Sequence, residues 1–263
     1  MTMPGPRTLV RADHASWRRR RLDPDRSLGL RLTLAATAAF LVLVPFTLLA
    51  LLVLGGWAPL HRLDATVTDA LHGYALDHPV WVALMRIWTE VFAPMPLRAA
   101  ALLVVIWLLR RGARRLALWV TTTMVVGGSI GPLLKLLVGR DRPDLLDPVA
   151  RAAGYAFPSG HALNAILTAG VLLLVFLPYA GRGRWRVALW VAAVLVAVLT
   201  GLSRVALGVH WASDVLGGWL LGAAVIAATT AAFTSWRAHT GLRPVQPTRG
   251  GVAPEVERHP GAT

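Results

Sequence analysis

Three short segments of this 263-residue chain carry side chains that could act together on a phosphate. The first is Lys135-Leu-Leu-Val-Gly-Arg-Asp-Arg142-Pro143. The second is Phe157-Pro158-Ser159-Gly160-His161. The third is Ser203-Arg204-Val-Ala-Leu-Gly-Val-His210-Trp-Ala-Ser-Asp214. Taken singly, each has a plain structural explanation. Lys135 and Arg142 suit anchors at a membrane interface, and Ser159 suits a helix N-cap. His210 and Asp214, four apart, suit a simple pair on one helix face. Taken together they supply three cations, two histidines and a carboxylate, a set that fits a phosphate. Guanidinium groups grip phosphoryl oxygens bidentately, and a helix opening at Gly160 offers backbone N–H groups with room for close approach. Neutralising charge and positioning the reactants are the main requirements of phosphoryl transfer. In that chemistry Asp214 accepts the ring N–H of His210, fixes its tautomer and leaves the other nitrogen as nucleophile. His161, held at a helix start, is left as the general acid for the departing oxygen.

The elements that must bring these segments together read as membrane helices. The chain is 56% hydrophobic and 15% charged, with mean hydropathy +0.57, against about 25% charged residues in soluble domains. Its net charge of +14 in so apolar a chain points to cytoplasmic loops and anionic head groups, and without a folded reader domain it does not point to nucleic acid. There is no cysteine, which excludes disulfides, thiol catalysis and Cys-ligated zinc. Apolar runs at Leu32–Trp57, Val91–Leu109, Leu116–Leu134, Ala162–Ala180, Val187–Ser203 and Val215–Trp236 predict six crossings, each near the ~20 residues a bilayer requires. The first is too long for a secretory signal and reads as a retained anchor. The second contains Arg98, expected to snorkel to the interface. Residues 58–95 read as a loop with one or two interfacial helices, with Trp81 and Trp88 at head-group depth. The expected organisation is an all-α polytopic membrane protein: an Arg-rich tail over 1–30, a six-helix domain over 31–236, and a disordered tail over 237–263. Six crossings place the three polar segments at one membrane face.

The motifs Lys-x6-Arg-Pro, Pro-Ser-Gly-His and Ser-Arg-x5-His-x3-Asp, in this order, resemble the three signature motifs of the type 2 phosphatidic acid phosphatase (PAP2) superfamily. The matching residues are Lys135, Arg142 and Pro143; Pro158, Ser159, Gly160 and His161; and Ser203, Arg204, His210 and Asp214. The resemblance spans about residues 30–236. It implies a PAP2-like helical bundle acting without cofactor or metal through a phosphohistidine on His210, with His161 and Asp214 as its catalytic partners. Lys135, Arg142, Ser159, Gly160 and Arg204 would bind the phosphate. It also implies a lipid phosphate or isoprenoid diphosphate as substrate, such as undecaprenyl diphosphate or a phosphatidate-like lipid.

Other readings follow from the same residues. A lipid phosphotransferase would share the first half-reaction and pass the phosphoryl group to an acceptor other than water. A transporter would line a pathway with the cations, but the polar residues gather at one face. A metal centre of His210, Asp214, Asp141 and Asp144 is disfavoured by Lys135, Arg140, Arg142 and Arg204, which would repel a cation. Lysine and arginine are unevenly divided: 19 of the 27 fall in the tails and the loops after the second and fourth crossings. By the positive-inside rule both termini are expected in the cytoplasm and the phosphate clamp on the outer face of a bacterial inner membrane. The oligomeric state is not legible in the sequence.

Overall fold

The computed structural model describes residues 28–180 and 183–239. The arginine-rich segment before Leu28 and the tail after His239 lie outside the described residues, as does Arg182. Eight α-helices follow one another among the described residues, with no strand. They are α1 (Leu28–Leu54), α2 (Ala58–Asp77), α3 (Pro79–Val91), α4 (Pro94–Arg110), α5 (Arg114–Val138), α6 (Gly160–Phe176), α7 (Arg184–Ala206) and α8 (Ala212–His239), with a 3-10 turn over Leu177–Ala180 after α6. In hydrocarbon every backbone polar group must be satisfied within the segment, and helices achieve this.

Five stretches are long and apolar enough to cross a membrane: Pro79–Arg110, Arg114–Val138, Gly160–Ala180, Arg184–Ala206 and Ala212–Phe233. A sixth is present if Phe40–Leu54 and Ala58–Asp77, bent by 91°, form one span. Leucines such as Leu41, Leu51, Leu102, Leu103, Leu136 and Leu137 are exposed on the outside of the bundle, the surface that lipid covers. The chain is an integral membrane protein. Over 58–95, where a loop with one or two interfacial helices is expected, the chain is helical almost throughout. This region holds two helices, and α3 prolongs the second crossing back to Pro79, giving that stretch 32 residues instead of the 19 expected.

Gly55 and Gly56 cause the bend between α1 and α2. Gly56 has φ +59°, Trp57 N donates to Leu52 O and Gly56 N to Val53 O. This is a Schellman ending, which stops a helix and turns the chain. Pro59 in the first turn of α2 then fits a helix start.

Helix α6 packs against α4, α5, α7 and α8 and carries the core. Leu163 and Leu167 meet Phe157, Leu221 and Val225 near the polar end, and Val171 and Val175 meet Leu108, Trp119 and Val120 near the other. Arg98 does not simply reach for the interface. Its Nε donates to Asn164 Oδ1 of α6 at 2.9 Å, and its guanidinium lies beside Gly128 of α5. Trp88 likewise turns inward, donating from Nε1 to Thr200 Oγ1 of α7 at 3.2 Å.

Candidate active site

The end of α5, the start of α6, and the junction of α7 with α8 meet at one end of the bundle. Helix α5 stops at Gly139 (φ +60°), whose N–H donates to Lys135 O. The chain then turns into the segment bearing Arg140 and Arg142. Helix α7 ends in a second Schellman motif: Gly208 has φ +66°, Gly208 N donates to Val205 O, and Val209 N donates to Arg204 O. That cap accounts for the five residues between Arg204 and His210. It takes the chain off the helix that holds the arginine and delivers the histidine just beyond it. At the start of α8, Asp214 Oδ2 accepts the N–H of Trp211 at 2.9 Å, as an acidic side chain in the first turn does when it reaches back to cap its own helix.

His210 is buried, and its ring is held from both sides. Nδ1 lies 3.2 Å from Asp214 Oδ2, and Nε2 lies 3.1 Å from Arg142 Nη1. A guanidinium can only donate, so Nε2 is the acceptor and the proton sits on Nδ1, given to the carboxylate. Burial pushes His210 down from the ordinary histidine value to about 4. The hydrogen bond and charge of Asp214 oppose this, and Arg142 and Lys135 reinforce it. The imidazole is therefore neutral near pH 7, with its Nε2 lone pair directed at a cation.

Arg142 is placed by backbone carbonyls. It donates to Gly154 O (2.7 Å), Ala153 O (3.0 Å), Tyr155 O (3.4 Å) and Val209 O (2.5 Å). Burial lowers its pKa, opposed by the charge of Asp214. Lys135 Nζ donates to Ala156 O at 3.2 Å and to Tyr155 O. Arg204 is buried, with one donor on Thr89 Oγ1 at 3.0 Å and its Nε without a protein partner. Ser159 occupies the N-cap position of α6, yet its hydroxyl caps nothing and is buried without a partner. The expected N-cap bond is thus absent, and the first amides of α6 remain uncapped by a side chain. Buried donors are normally satisfied, so Arg204 Nε and Ser159 Oγ have capacity for an acceptor. His161, in the first turn of α6, lies within the electrostatic reach of Arg204, His210, Arg142 and Lys135.

The structure therefore brings Lys135, Arg142, Ser159, Gly160, His161, Arg204, His210 and Asp214 to one place. Two charged residues beside them were not singled out by the motifs. Arg140 bridges Asp214 Oδ1 and Asp64 Oδ2, at 2.7 Å each, and Asp64, on α2, is buried. No group of three or more His, Cys, Asp or Glu side chains able to hold a metal forms among the described residues. Asp141 and Asp144 do not join His210 and Asp214 in one.

A helical membrane bundle with a buried His–Asp pair facing a cluster of cations defines a class. Residues 116–238 match the PAP2 superfamily. Phosphatidylglycerophosphatase B of Bacillus subtilis (strain 168) is 40% identical over 96 residues, 35% of this chain and 46% of the relative. An undecaprenyl-diphosphatase of Sulfolobus acidocaldarius is 34% identical over 122 residues, 44% of this chain and 54% of the relative. A decaprenylphosphoryl-5-phosphoribose phosphatase of Mycobacterium tuberculosis is 40% identical over 103 residues, 38% and 51% of the two chains. The chain thus spans about half the length of the curated relatives it matches. The fold is similar to the crystal structure of a transmembrane PAP2-type phosphatidylglycerolphosphate phosphatase from Bacillus subtilis, with TM-score 0.65 and 22% identity, covering 80% of this chain and 99% of that one.

Proposed function

We propose that this protein is a lipid phosphatase that removes a phosphate from a lipid phosphomonoester or isoprenoid diphosphate through a phosphohistidine on His210. One observation carries the reading. The His210 ring is fixed with Nδ1 on Asp214 and its Nε2 lone pair on Arg142, so the nucleophile is aimed where a phosphate would be held. Lys135, Arg142, Arg204, Ser159 and the first amides of α6 bind the phosphoryl oxygens. His210 Nε2 then attacks phosphorus as the P–O bond to the lipid breaks, and His161 protonates the departing oxygen. Water, giving its proton to His161, next attacks phosphorus. The N–P bond breaks, and phosphate and free His210 are regenerated.

Phosphatases acting on undecaprenyl diphosphate, phosphatidylglycerophosphate and a decaprenyl phosphosugar stand among the relatives, which supports a lipid with a terminal phosphate. The clamp would face outward from a bacterial inner membrane. Arg110, Arg111, Arg114 and Arg115 join α4 to α5 at the end opposite Lys135, where the positive-inside rule puts the cytoplasm.

The test uses the full chain in detergent with dioctanoyl phosphatidate, phosphatidylglycerophosphate and undecaprenyl diphosphate. Phosphate release is expected with at least one of them and should persist in excess chelator. A radiolabelled phosphoenzyme, labile to acid and stable to base, should form in the wild type and not in His210→Ala. A label that persists in His210→Ala defeats the nucleophile assignment. For orientation, a cysteine at Ala153 should react with an impermeant maleimide in intact cells and one at Arg184 should not. The reverse result overturns the outward site.

A further inference from the structure

The carboxylate that holds His210 does not stand alone. Its two oxygens have separate tasks: Oδ2 serves His210 Nδ1 and Trp211 N, and Oδ1 receives Arg140 Nη1. Arg140 then reaches through Nη2 to Asp64 Oδ2, and the Arg140 guanidinium lies over the Trp211 ring, 5.5 Å from its centroid. Ser213 closes the loop. Its N–H donates to Asp64 Oδ1 at 2.9 Å, and its hydroxyl lies on Asp64 Oδ2 and within 2.7 Å of Arg140 Nη1. Asp64 and Asp214 are 1% and 0% exposed, and Arg140 is 13% exposed. Burying three charges in a chain is a poor way to gain stability, because desolvation offsets most of the attraction. Such an arrangement is better suited to fixing geometry and local potential.

We propose that Arg140 and Asp64 are positioning residues for the reaction: with Asp214 they form an ion chain that orients His210 and ties its setting to helix α2. The link to catalysis rests on the phosphatase reading above; the electrostatic chain does not. Two different arginines of the same short segment therefore have opposite duties. Arg142 meets the acceptor nitrogen of His210, and Arg140 meets the carboxylate behind it.

The chain makes a directional prediction. The charged and titratable groups around His210 are Lys135 from α5, Arg140 and Arg142 from the following segment, His161 from α6, Arg204 from α7, Asp214 from α8 and, through Arg140, Asp64 from α2. In the wild type the charges of Arg140 and Asp64 offset one another. Asp64→Asn leaves Arg140 uncompensated beside Asp214, which disfavours a proton on His210. Arg140→Gln leaves two carboxylates uncompensated, which favours that proton. The His210 titration should thus move down in Asp64→Asn and up in Arg140→Gln, each by at least about half a pH unit for a charge this near. The double variant should lie between them. A purely structural role would loosen the site, admit water and move both single variants up, towards the ordinary histidine value.

The measurement is ring NMR of the full chain labelled in histidine, in detergent, with His210 assigned from His210→Ala; it requires no turnover. Opposite shifts bear the proposal out. Shifts of the same sign, or none, overturn it. Phosphate release from dioctanoyl phosphatidate is measured alongside. Arg140→Gln and Asp64→Asn should lower kcat about tenfold or more with little change in KM, and Arg140→Lys should recover part of the loss. A wild type that releases no phosphate from any lipid of the panel defeats the phosphatase reading and leaves the titration to decide the ion chain.

Discussion

Gly208 is the hinge on which the geometry of His210 depends, and replacing it with alanine is an informative perturbation. Two costs are readable. The residue sits at φ +66°, where a side chain other than glycine costs about 1–2 kcal/mol. An added Cβ would also stand 2.4 Å from Leu145 Cδ1. That atom is the end of a flexible, half-buried side chain and can rotate aside, so the steric share is the smaller, under about 1 kcal/mol. The expected loss is about 2 kcal/mol of stability. The effect on function should be larger than the effect on folding. His210 is two residues away, and a shift of about 1 Å in a reacting group can cost about a hundredfold in rate. Thermal unfolding in detergent and phosphate release from dioctanoyl phosphatidate measure the two effects separately. Gly73→Ala is the control: Gly73 lies inside α2 without a positive φ, and nothing stands within 4 Å of an added Cβ, so it should be neutral or slightly stabilising. Adding Leu145→Ala to Gly208→Ala should relieve the collision and leave the backbone cost. If Gly208→Ala unfolds with Gly73→Ala and turns over like the wild type, the account of the α7 cap is wrong.

Arg142→Lys keeps the charge but cannot reproduce the fan of carbonyl contacts or the bond to His210 Nε2; kcat should fall about a hundredfold or more, and a loss below threefold would contradict the clamp. His210 is held near 4 in the folded protein against 6.5 for a free histidine, so the folded state takes up its proton later than the unfolded chain. Stability should therefore decline as pH falls from about 6.5 to about 4, by about 3 kcal/mol. Unfolding titrations of His210→Gln should show a shallower decline, and identical slopes would refute the assignment. Arg98→Leu strands the Oδ1 of Asn164, which is 3% exposed, and should cost about 1 kcal/mol in mixed micelles. Adding Asn164→Leu should not add a second equal loss, and strictly additive losses would show that the pair is not coupled.

The crossings after residue 90 were legible because charge-free runs of membrane length are hard to produce otherwise. Their ends were less so: α5 extends from Arg114 to Val138, past Arg115 and Lys135, because a helix need not stop where its side chains reach water. Helix α2 was obscured by its own composition. His61, Asp64, Asp69 and His72 suggest a loop or an interfacial helix, yet Val67 and Leu71 pack against Ala162, Val205 and Val215, and that tertiary contact draws the helix into the bundle. The residues gathered around His210 could be assembled from motif order and crossing parity. The partner of Arg140 could not. Nothing local in Gly-Arg-Asp-Arg says which arginine faces the histidine and which faces a carboxylate 76 positions earlier. The regular spacing of Asp64, Val67, Thr68 and Leu71 was the available signal that an acid lay on the inner face of a helix.

The start of α8 passes so close to α6 that there is no room for a side chain between them. A Cβ on Gly218 would lie 2.6 Å from the carbonyl oxygen of Ser159, and one on Gly217 would lie 2.6 Å from the Phe157 ring. Ser159 N in turn donates to Asp214 O at 2.9 Å. The two helices that carry His161 and the orienting carboxylate of His210 are thus joined main chain to main chain, like two blades on one rivet. Their separation is therefore set by main-chain contacts. Any widening for a bulky substrate would fall to elements joined through side chains, such as α3 and α7 through Trp88 and Thr200. The spacing between the two histidines would therefore be a constant of the molecule, and the entrance its adjustable part.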